Sequence, residues 1–379
     1  MEGIDAARIC IIHWSGPFHE RWGKLRIHPN LFRKLAAGVA LPPGIAFPSD
    51  DASAPLGLLS KCPAYAPTPL VDLPELARVT GISQVSVKDE RERMGLGSFK
   101  ALGAAYVIAD DAVKTGAEDL QTALRGQTYV TASAGNHGMS VAAGARVFGA
   151  AAVIYIAKTV PESFARRLAA KSAQVVREGQ DYEASMVAAA HAAQANGWRL
   201  LSDSSWEGYT DRPWRLMQGY LALMAEVADQ IADPPTHIFV QAGVGGLAAS
   251  VAAYARKIWG DAPGIIVVEP DAAPAIAASL TEGRPVTTSG PVSTMGRLDC
   301  KEPSLIALKG LARDADVAVT LSDEAVARAL PRLAAHDLET TPSGGAGLAA
   351  LLLSEPHRKA LRLDERSHVL AFVTEGPEK

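Results

Sequence analysis

His237-Ile-Phe-Val-Gln241 runs through Ala242 into Gly243-Val244-Gly245-Gly246-Leu247 and on into the Ala-rich stretch Ala248 to Ala255. A β-prone run, a glycine turn and a helix-forming run, in that order, describe a strand that feeds a helix through a tight loop. Glycines let the backbone approach a ligand closely. The unpaired N–H groups at the helix start, with the positive end of its dipole, face whatever anion sits there. Two other readings of these residues stay open at this point, a structural tight turn and a dinucleotide loop. Gly243-x-Gly245-x-x-Ala248 matches the dinucleotide fingerprint, and Glu269 ends the next apolar run where a ribose-binding acid belongs. Outward from this loop the same rhythm repeats. Expected strands at 84–87, 128–131, 152–156 and 237–241 are followed by expected helices at 98–109, 138–148, 162–171 and 247–258, with further strands at 265–269 and 368–374. This alternation predicts an α/β fold of mainly parallel sheets covered by helices on both faces. The sequence carries no Pro/Gly-rich linker that splits it, so two interwoven lobes are expected, not two beads on a string.

Composition agrees with that class. With 379 residues the chain has room for two domains or one large one. Charged residues make up 21% and hydrophobic ones 48%, a globular balance, and 37 basic against 41 acidic side chains give a net charge of −4. So mild an acidity offers no broad footprint for nucleic acid or an anionic membrane, and any anion site must be local. Cys10, Cys62 and Cys300 are too widely spaced for a disulfide framework or a metal cluster, and no metal is expected. The first residues lack the basic region and long apolar run of a signal peptide, and the longest apolar run, 147–157, is too short to span a bilayer. A cytoplasmic protein is expected. Residues 1–60, punctuated by Pro42-Pro43-Gly44, Pro48 and Pro55, read as an irregular arm in which function is not concentrated.

A second loop, Thr131-Ala132-Ser133-Ala134-Gly135-Asn136-His137-Gly138, also joins an expected strand to an expected helix. It again presents N–H donors at a helix start, now with hydroxyl, amide and imidazole side chains. Two anion sites suggest a ligand with two anionic ends. Taken singly, His137 could be a structural histidine and Asn136 an αL turn residue. Ser98-Phe99-Lys100 opens the Ala-rich helix that follows. A lysine at the start of an apolar helix is expected to be desolvated, which lowers its pKa and suits Schiff-base chemistry.

In this order, Ser98-Phe99-Lys100, Ser133-Ala134-Gly135-Asn136-His137 and Gly243–Leu247 resemble the lysine motif, substrate-carboxylate loop and phosphate loop of the fold-type II pyridoxal phosphate enzymes. That superfamily includes the serine/threonine dehydratases and cysteine synthases and has the tryptophan synthase β-like fold. A closer similarity, from about residue 60 to the C-terminus, is with the diaminopropionate ammonia-lyases. It is carried by Tyr65-Ala-Pro-Thr-Pro-Leu70, Lys88-Asp89-Glu90, Asp203-Ser-Ser-Trp206-Glu207-Gly208-Tyr209, Met217-Gln218-Gly219-Tyr220, Thr294-Met295-Gly296 and Asp299-Cys300.

The resemblance implies a large cofactor-binding domain from 1–105 and 209–379, a small domain over 106–208 with the carboxylate loop, and a homodimer acting on a small amino acid. It implies that Lys100 holds pyridoxal 5'-phosphate as a Schiff base, that Phe99 lies near the ring, and that Asn136 contacts the phenolic oxygen. Gly243, Val244, Gly245, Gly246 and Leu247 would bind the cofactor phosphate, and N–H groups of Ser133, Ala134, Gly135, Asn136 and His137 the substrate carboxylate. In Thr341-Pro342-Ser343-Gly344-Gly345, Ser343 would face the ring nitrogen. A neutral hydroxyl there does not force ring protonation, which favours elimination over transamination.

Departures from the pattern bear on the substrate. In the ammonia-lyases an aspartate precedes Gly-Asn-His and serves as base for the D-isomer, and serine racemase carries a serine base at the corresponding position; this chain has Ala134. Alanine transfers no proton, so an enzyme for L-amino acids is expected, with D-turnover and racemisation weak or absent. Asp203 matches the family's other aspartate and is a candidate base or holder of a β-ammonium, with an N-cap for the turn before Trp206 as its structural alternative. The loop Thr131–His137 reads more like that of a serine/threonine dehydratase, which brings a β-hydroxyl beside a β-amine as leaving group. The implied reaction is β-elimination: the amino acid replaces Lys100 on the cofactor, Lys100 or Asp203 takes its α-proton, the β-substituent leaves, and a 2-oxo acid and ammonia are released. A β-replacement synthase and, more remotely, an NAD-dependent dehydrogenase are the alternatives.

Overall fold

Apolar runs without polar alternation belong in sheets covered on both faces. In a computed structural model, which describes residues 25–35 and 38–378, the chain places them there. The strands are Leu25–Pro29 (β1), Leu70–Asp72 (β2), Gln84–Asp89 (β3), Thr128–Ala132 (β4), Ala151–Ile156 (β5), Gln174–Arg177 (β6), Arg199–Leu200 (β7), His237–Gln241 (β8), Gly264–Pro270 (β9), Val317–Leu321 (β10) and His368–Val373 (β11). One sheet runs in the order β1-β10-β9-β8-β11-β3-β2, the other β6-β5-β4-β7. From β10 to β3 the first sheet is parallel, and β1 and β2 close its edges antiparallel. The second sheet is parallel throughout. The expected α/β class is what the chain adopts.

The segment read as an irregular arm needs correction. Leu25–Pro29 pairs with Val317–Leu321 along the sheet edge, with Leu25 buried and Arg26 exposed, and Ser53–Leu59 is a helix. A five-residue edge strand next to proline-rich turns carries too short an alternation to be read. Cys10 and the first residues lie outside the described residues. The apolar run 147–157 divides between the end of the helix Asn136–Val147, a turn and β5, and no described helix is long and apolar enough to cross a membrane.

The helix Lys100–Val113 links the two sheets by packing on both Asn136–Val147 and Asp211–Gln230. Its crossing with Asp211–Gln230 depends on glycine: a Cβ on Gly219 would lie 2.8 Å from the Leu102 carbonyl oxygen and 3.0 Å from Gly103 Cα. This close approach brings Tyr220 against Phe99, with ring centroids 5.0 Å apart. The segment that leads to Lys100 is anchored by a buried charge cluster. The Glu226 carboxylate accepts from Arg93 Nη1 and Nη2 and Lys88 Nζ, each at 2.7 Å, from Tyr65 Oη at 2.8 Å and from the Thr68 N–H at 3.1 Å. Glu90 takes the other edge of Arg93, Nε and Nη2, at 2.7 Å each.

Candidate active site

Lys100 is the first residue of its helix, presented just past the end of β11: Phe99 N–H donates to the Thr374 carbonyl at 3.2 Å, and Ser98 bridges Glu375. Its ammonium ion-pairs with Asp203. Burial alone would push this ammonium down, as expected from the sequence, but the Asp203 carboxylate outweighs it and holds the amine above its ordinary value. The expected depression is therefore corrected: desolvation is present, and a counter-charge overrides it. Burial pushes Asp203 up, yet the Lys100 ammonium beside it holds it well below the usual carboxylate range. Asp203 thus faces Lys100 and does not cap the turn before Trp206.

The loop that carries Asp203 is pinned at both ends. Ser205 Oγ and Ser304 Oγ are 2.7 Å apart, and Tyr209 Oη accepts from the Ser202 N–H at 3.1 Å and donates to the Leu200 carbonyl at 2.9 Å. Trp206 and Tyr209 stack with centroids 4.4 Å apart.

In the loop after β4, Asn136 begins the helix Asn136–Val147 and is not in the αL region. Ser133 N–H is used in the sheet, donating to Tyr155 at 3.1 Å, and Gly135 N–H donates to Ser133 Oγ at 3.3 Å. That leaves Ala134, Asn136 and His137 as the loop's candidate backbone donors. His137 is buried, and its Nε2 donates to the Leu201 carbonyl at 2.7 Å, which ties the loop to the Asp203 segment and leaves a buried, unpartnered Nδ1. Burial pushes this imidazole down, so it stays neutral beside Lys100.

Gly243–Leu247 spans the junction of β8 and the helix Gly246–Trp259, with Gly245 at φ +96°, a conformation that favours glycine. A Cβ on Gly246 would lie 3.5 Å from Met217, 3.8 Å from Tyr220 and 3.9 Å from the Asp203 carbonyl oxygen, so this loop borders the Lys100–Asp203 pair. Cys300 sits between them: burial pushes its thiol up to about 12, and it senses both Asp203 and Lys100. The dinucleotide reading fails at Glu269. That carboxylate is fully buried and accepts from Ile276 and Ala277 N–H at 2.8 Å each, capping the helix Ala275–Glu282, and is closed to a ribose.

Asn136 Nδ2 donates to Glu375, which also accepts from Thr341 Oγ1 and pairs with Arg297 Nη1 at 3.0 Å. Buried Ser343 accepts from the Arg297 N–H at 3.1 Å, which leaves its hydroxyl hydrogen to be donated, and Gln241 Nε2 fixes the neighbouring Gly344 carbonyl at 2.7 Å. Tyr220, Cys300, Arg297 and Glu375 were not singled out as functional from the sequence. The first two lie in segments that carry the family similarity, but Arg297 and Glu375 have no local signal.

Pyridoxal phosphate requires an amine for attachment, N–H donors for its phosphate and polar partners for its ring. Lys100, the 243–247 loop, Asn136 and Ser343 offer these in neighbouring segments, where the buried Tyr220 hydroxyl also lacks a partner. The residues fit the group.

Comparison with known proteins agrees. The chain is similar to the diaminopropionate ammonia-lyase of Salmonella typhimurium, 33% identical over 355 residues that cover 85% of this chain and 88% of the relative. It is 29% identical over 295 residues to the L-serine dehydratase/L-threonine deaminase of Mus musculus, covering 76% of this chain and 83% of the relative. Diaminopropionate ammonia lyase from Escherichia coli, solved in complex with D-serine, superposes with a TM-score of 0.83 at 30% identity, covering 93% of this chain and 94% of the other. Residues 62–375 match the profile of the pyridoxal-phosphate dependent enzymes, and it is to that family that the chain belongs.

Proposed function

We propose that the enzyme catalyses β-elimination on a β-amino- or β-hydroxy-substituted L-α-amino acid, releasing a 2-oxo acid and ammonia. The observation that carries this reading is the Lys100–Asp203 ion pair, bordered by the loops at 133–137 and 243–247. The cofactor, held at Lys100, supplies the electron sink that makes an α-proton acidic. Gly243, Val244, Gly245, Gly246 and Leu247 would hold its phosphate, Phe99 would lie near its ring, Asn136 would serve its phenolic oxygen, and Ser343 would offer its ring nitrogen a neutral hydroxyl. Ser133 Oγ and the N–H groups of Ala134, Asn136 and His137 hold the substrate carboxylate, with Gly135 shaping the turn. Lys100 Nζ takes the α-proton, and Asp203, already paired with it, holds the charge the amine gains. On a β-amino substrate the same carboxylate holds the departing ammonium. Positioned acid–base groups of this kind contribute about 10²–10⁴-fold.

Ala134 offers no group for proton transfer, which supports L-specificity. The division into a 1–105 plus 209–379 domain and a 106–208 domain is supported by β4 to β7, which all fall within the second range. A homodimer is part of the proposal on family resemblance, and a cytoplasmic location on the sparse cysteines and the N-terminal sequence.

The test is the visible spectrum of the holoenzyme, titrated with L- and D-diaminopropionate, L-serine, L-threonine and bulkier β-hydroxy amino acids. An L-compound is expected to perturb the lysine-bound cofactor band and release a 2-oxo acid, and Lys100→Ala to abolish both. Near-normal turnover in Lys100→Ala overturns the assignment. Product analysis with added thiol separates a lyase from a β-replacement synthase.

A further inference from the structure

Arg297 stands beside the carboxylate loop and has no part in the chemistry above. A Cβ on Gly135 would lie 3.6 Å from its Nε, and its own N–H is fixed on Ser343 Oγ at 3.1 Å. Nη1 pairs with Glu375 at 3.0 Å and Nη2 with Glu378 at 3.1 Å, where the Glu375 side chain is 5% exposed and that of Glu378 is 54% exposed. Nε is buried and has no partner.

A guanidinium offers a carboxylate a flat, two-toothed edge through Nε and Nη2. Elsewhere in the structure Arg91 on Asp89, Arg93 on Glu90 and Arg313 on Asp314 use that edge with one carboxylate oxygen on each nitrogen, all N···O distances lying between 2.7 and 2.9 Å. On Arg297 the edge is half used. Its Nε is bare, and its Nη2 is held only by an exposed glutamate that a ligand can replace.

We propose that Arg297 binds a second carboxylate of the substrate, which makes the enzyme selective for β-substituted dicarboxylic L-α-amino acids. The inference rests on the lyase reading and deepens it. The α-carboxylate has the N–H donors of the 133–137 loop, so the guanidinium remains for a carboxylate farther along the side chain. Such a group takes the place of Glu378 at Nη2 and supplies Nε with its missing acceptor. Glu375 stays on Nη1, kept by Thr341 and Asn136, so the exchange leaves the local charge unchanged. A β-ammonium gains nothing from this edge, and 2,3-diaminopropionate becomes the poorer substrate.

The experiment is calorimetric titration of the holoenzyme with L-aspartate and L-alanine, which differ in the second carboxylate and carry no β-leaving group. Aspartate is expected to bind about 10–100-fold more tightly, and Arg297→Met to erase that preference while alanine affinity changes by no more than about 3-fold. Glu378→Gln, a change at an exposed side chain, is expected to tighten aspartate binding by removing the competing carboxylate. Equal affinity for both ligands in the wild type, equal loss of both in Arg297→Met, or unchanged aspartate binding in Glu378→Gln overturns the assignment. Turnover of 3-hydroxyaspartate against serine runs in parallel. If no amino acid is turned over, the lyase reading fails and the titration still judges Arg297; if turnover proceeds without an aspartate preference, Arg297 alone is wrong.

Discussion

Glu226→Gln removes one charge from a cluster that has no water to replace it. Lys88, Glu90 and Arg93 are fully buried and Glu226 is nearly so, and the charges balance, two of each sign. In the variant, Arg93 keeps its two contacts with Glu90, whereas Lys88 loses its 2.7 Å ion pair with Glu226 and keeps only the neutral acceptors Thr68 O and Gln230 Oε1 at 2.7 and 2.9 Å in direct contact. A glutamine also turns an NH2 toward one of the donors that the second carboxylate oxygen served. Breaking a buried pair on one side costs about 3–5 kcal/mol. For a chain of 379 residues that corresponds to about 4–6 °C in melting temperature. The loss also has a pH signature. Burial already pushes the Lys88 ammonium down, with Glu226 opposing it, and losing Glu226 pushes it further. A lysine whose folded pKa lies below its unfolded value makes the unfolded state bind more protons, so stability rises with pH across that interval. The deficit of Glu226→Gln should therefore shrink from neutral pH to a pH nearer the ordinary lysine value, as Lys88 sheds its proton. Urea unfolding at both pH values measures it, with Glu226→Gln/Lys88→Met as the charge-balanced control, expected to recover part of the loss. A deficit below about 1 kcal/mol, or one that does not change with pH, refutes the reasoning.

Asp203→Asn removes the charge that holds Lys100 up, so more of the amine is neutral near pH 7. Attachment of added pyridoxal phosphate to stripped enzyme should become faster and reach its maximum rate at lower pH, while turnover falls by about 10²–10⁴-fold; an unchanged pH profile of attachment counts against the ion pair's role. Ala134→Asp places a proton-transferring group beside Gly135 and should create turnover of a D-amino acid, read with D-serine and D-diaminopropionate; none would mean that position 134 does not face the α-carbon. Burial pushes Glu269 up to about 8 against the pull of two N–H groups. A carboxyl raised in the folded state favours folding below its unfolded pKa and loses that contribution as pH rises toward about 8. The melting temperature should decline over that range in the wild type and decline less in Glu269→Gln.

Of the parallel strands, β3, β4, β5, β8, β9 and β11 were legible as short apolar runs, with β8, β9 and β11 within a residue or two of their expected limits, whereas β6 and β10 were not expected. Strands that depend on partners were not. Leu25–Pro29 has only Leu25 and Ile27 as its inward pattern, and it becomes a strand because Val317–Leu321 needs an edge neighbour. Arg199–Leu200 is two residues long and exists through its register with Tyr129 and Val130. Pairing across long sequence separations supplies these elements, and no local window contains it.

The site divides along the same line. Residues that act through the backbone at a strand–helix junction announce themselves, because the junction needs glycines and small polar residues in a fixed order. Lys100 was legible from its place at the start of an Ala-rich helix, but its protonation was not, since that depends on Asp203 more than a hundred positions away. Arg297 and Glu375 are the extreme case. Neither stands in a strand–helix junction motif, and their meaning lies in the contact between the loop that follows the helix Ala275–Glu282 and the end of the last strand. The chemistry common to the family is written in local motifs, whereas the group that selects a side chain arises where distant segments meet. It follows that substrate choice here is to be sought at Arg297 and its partners and not in the loops that identify the cofactor.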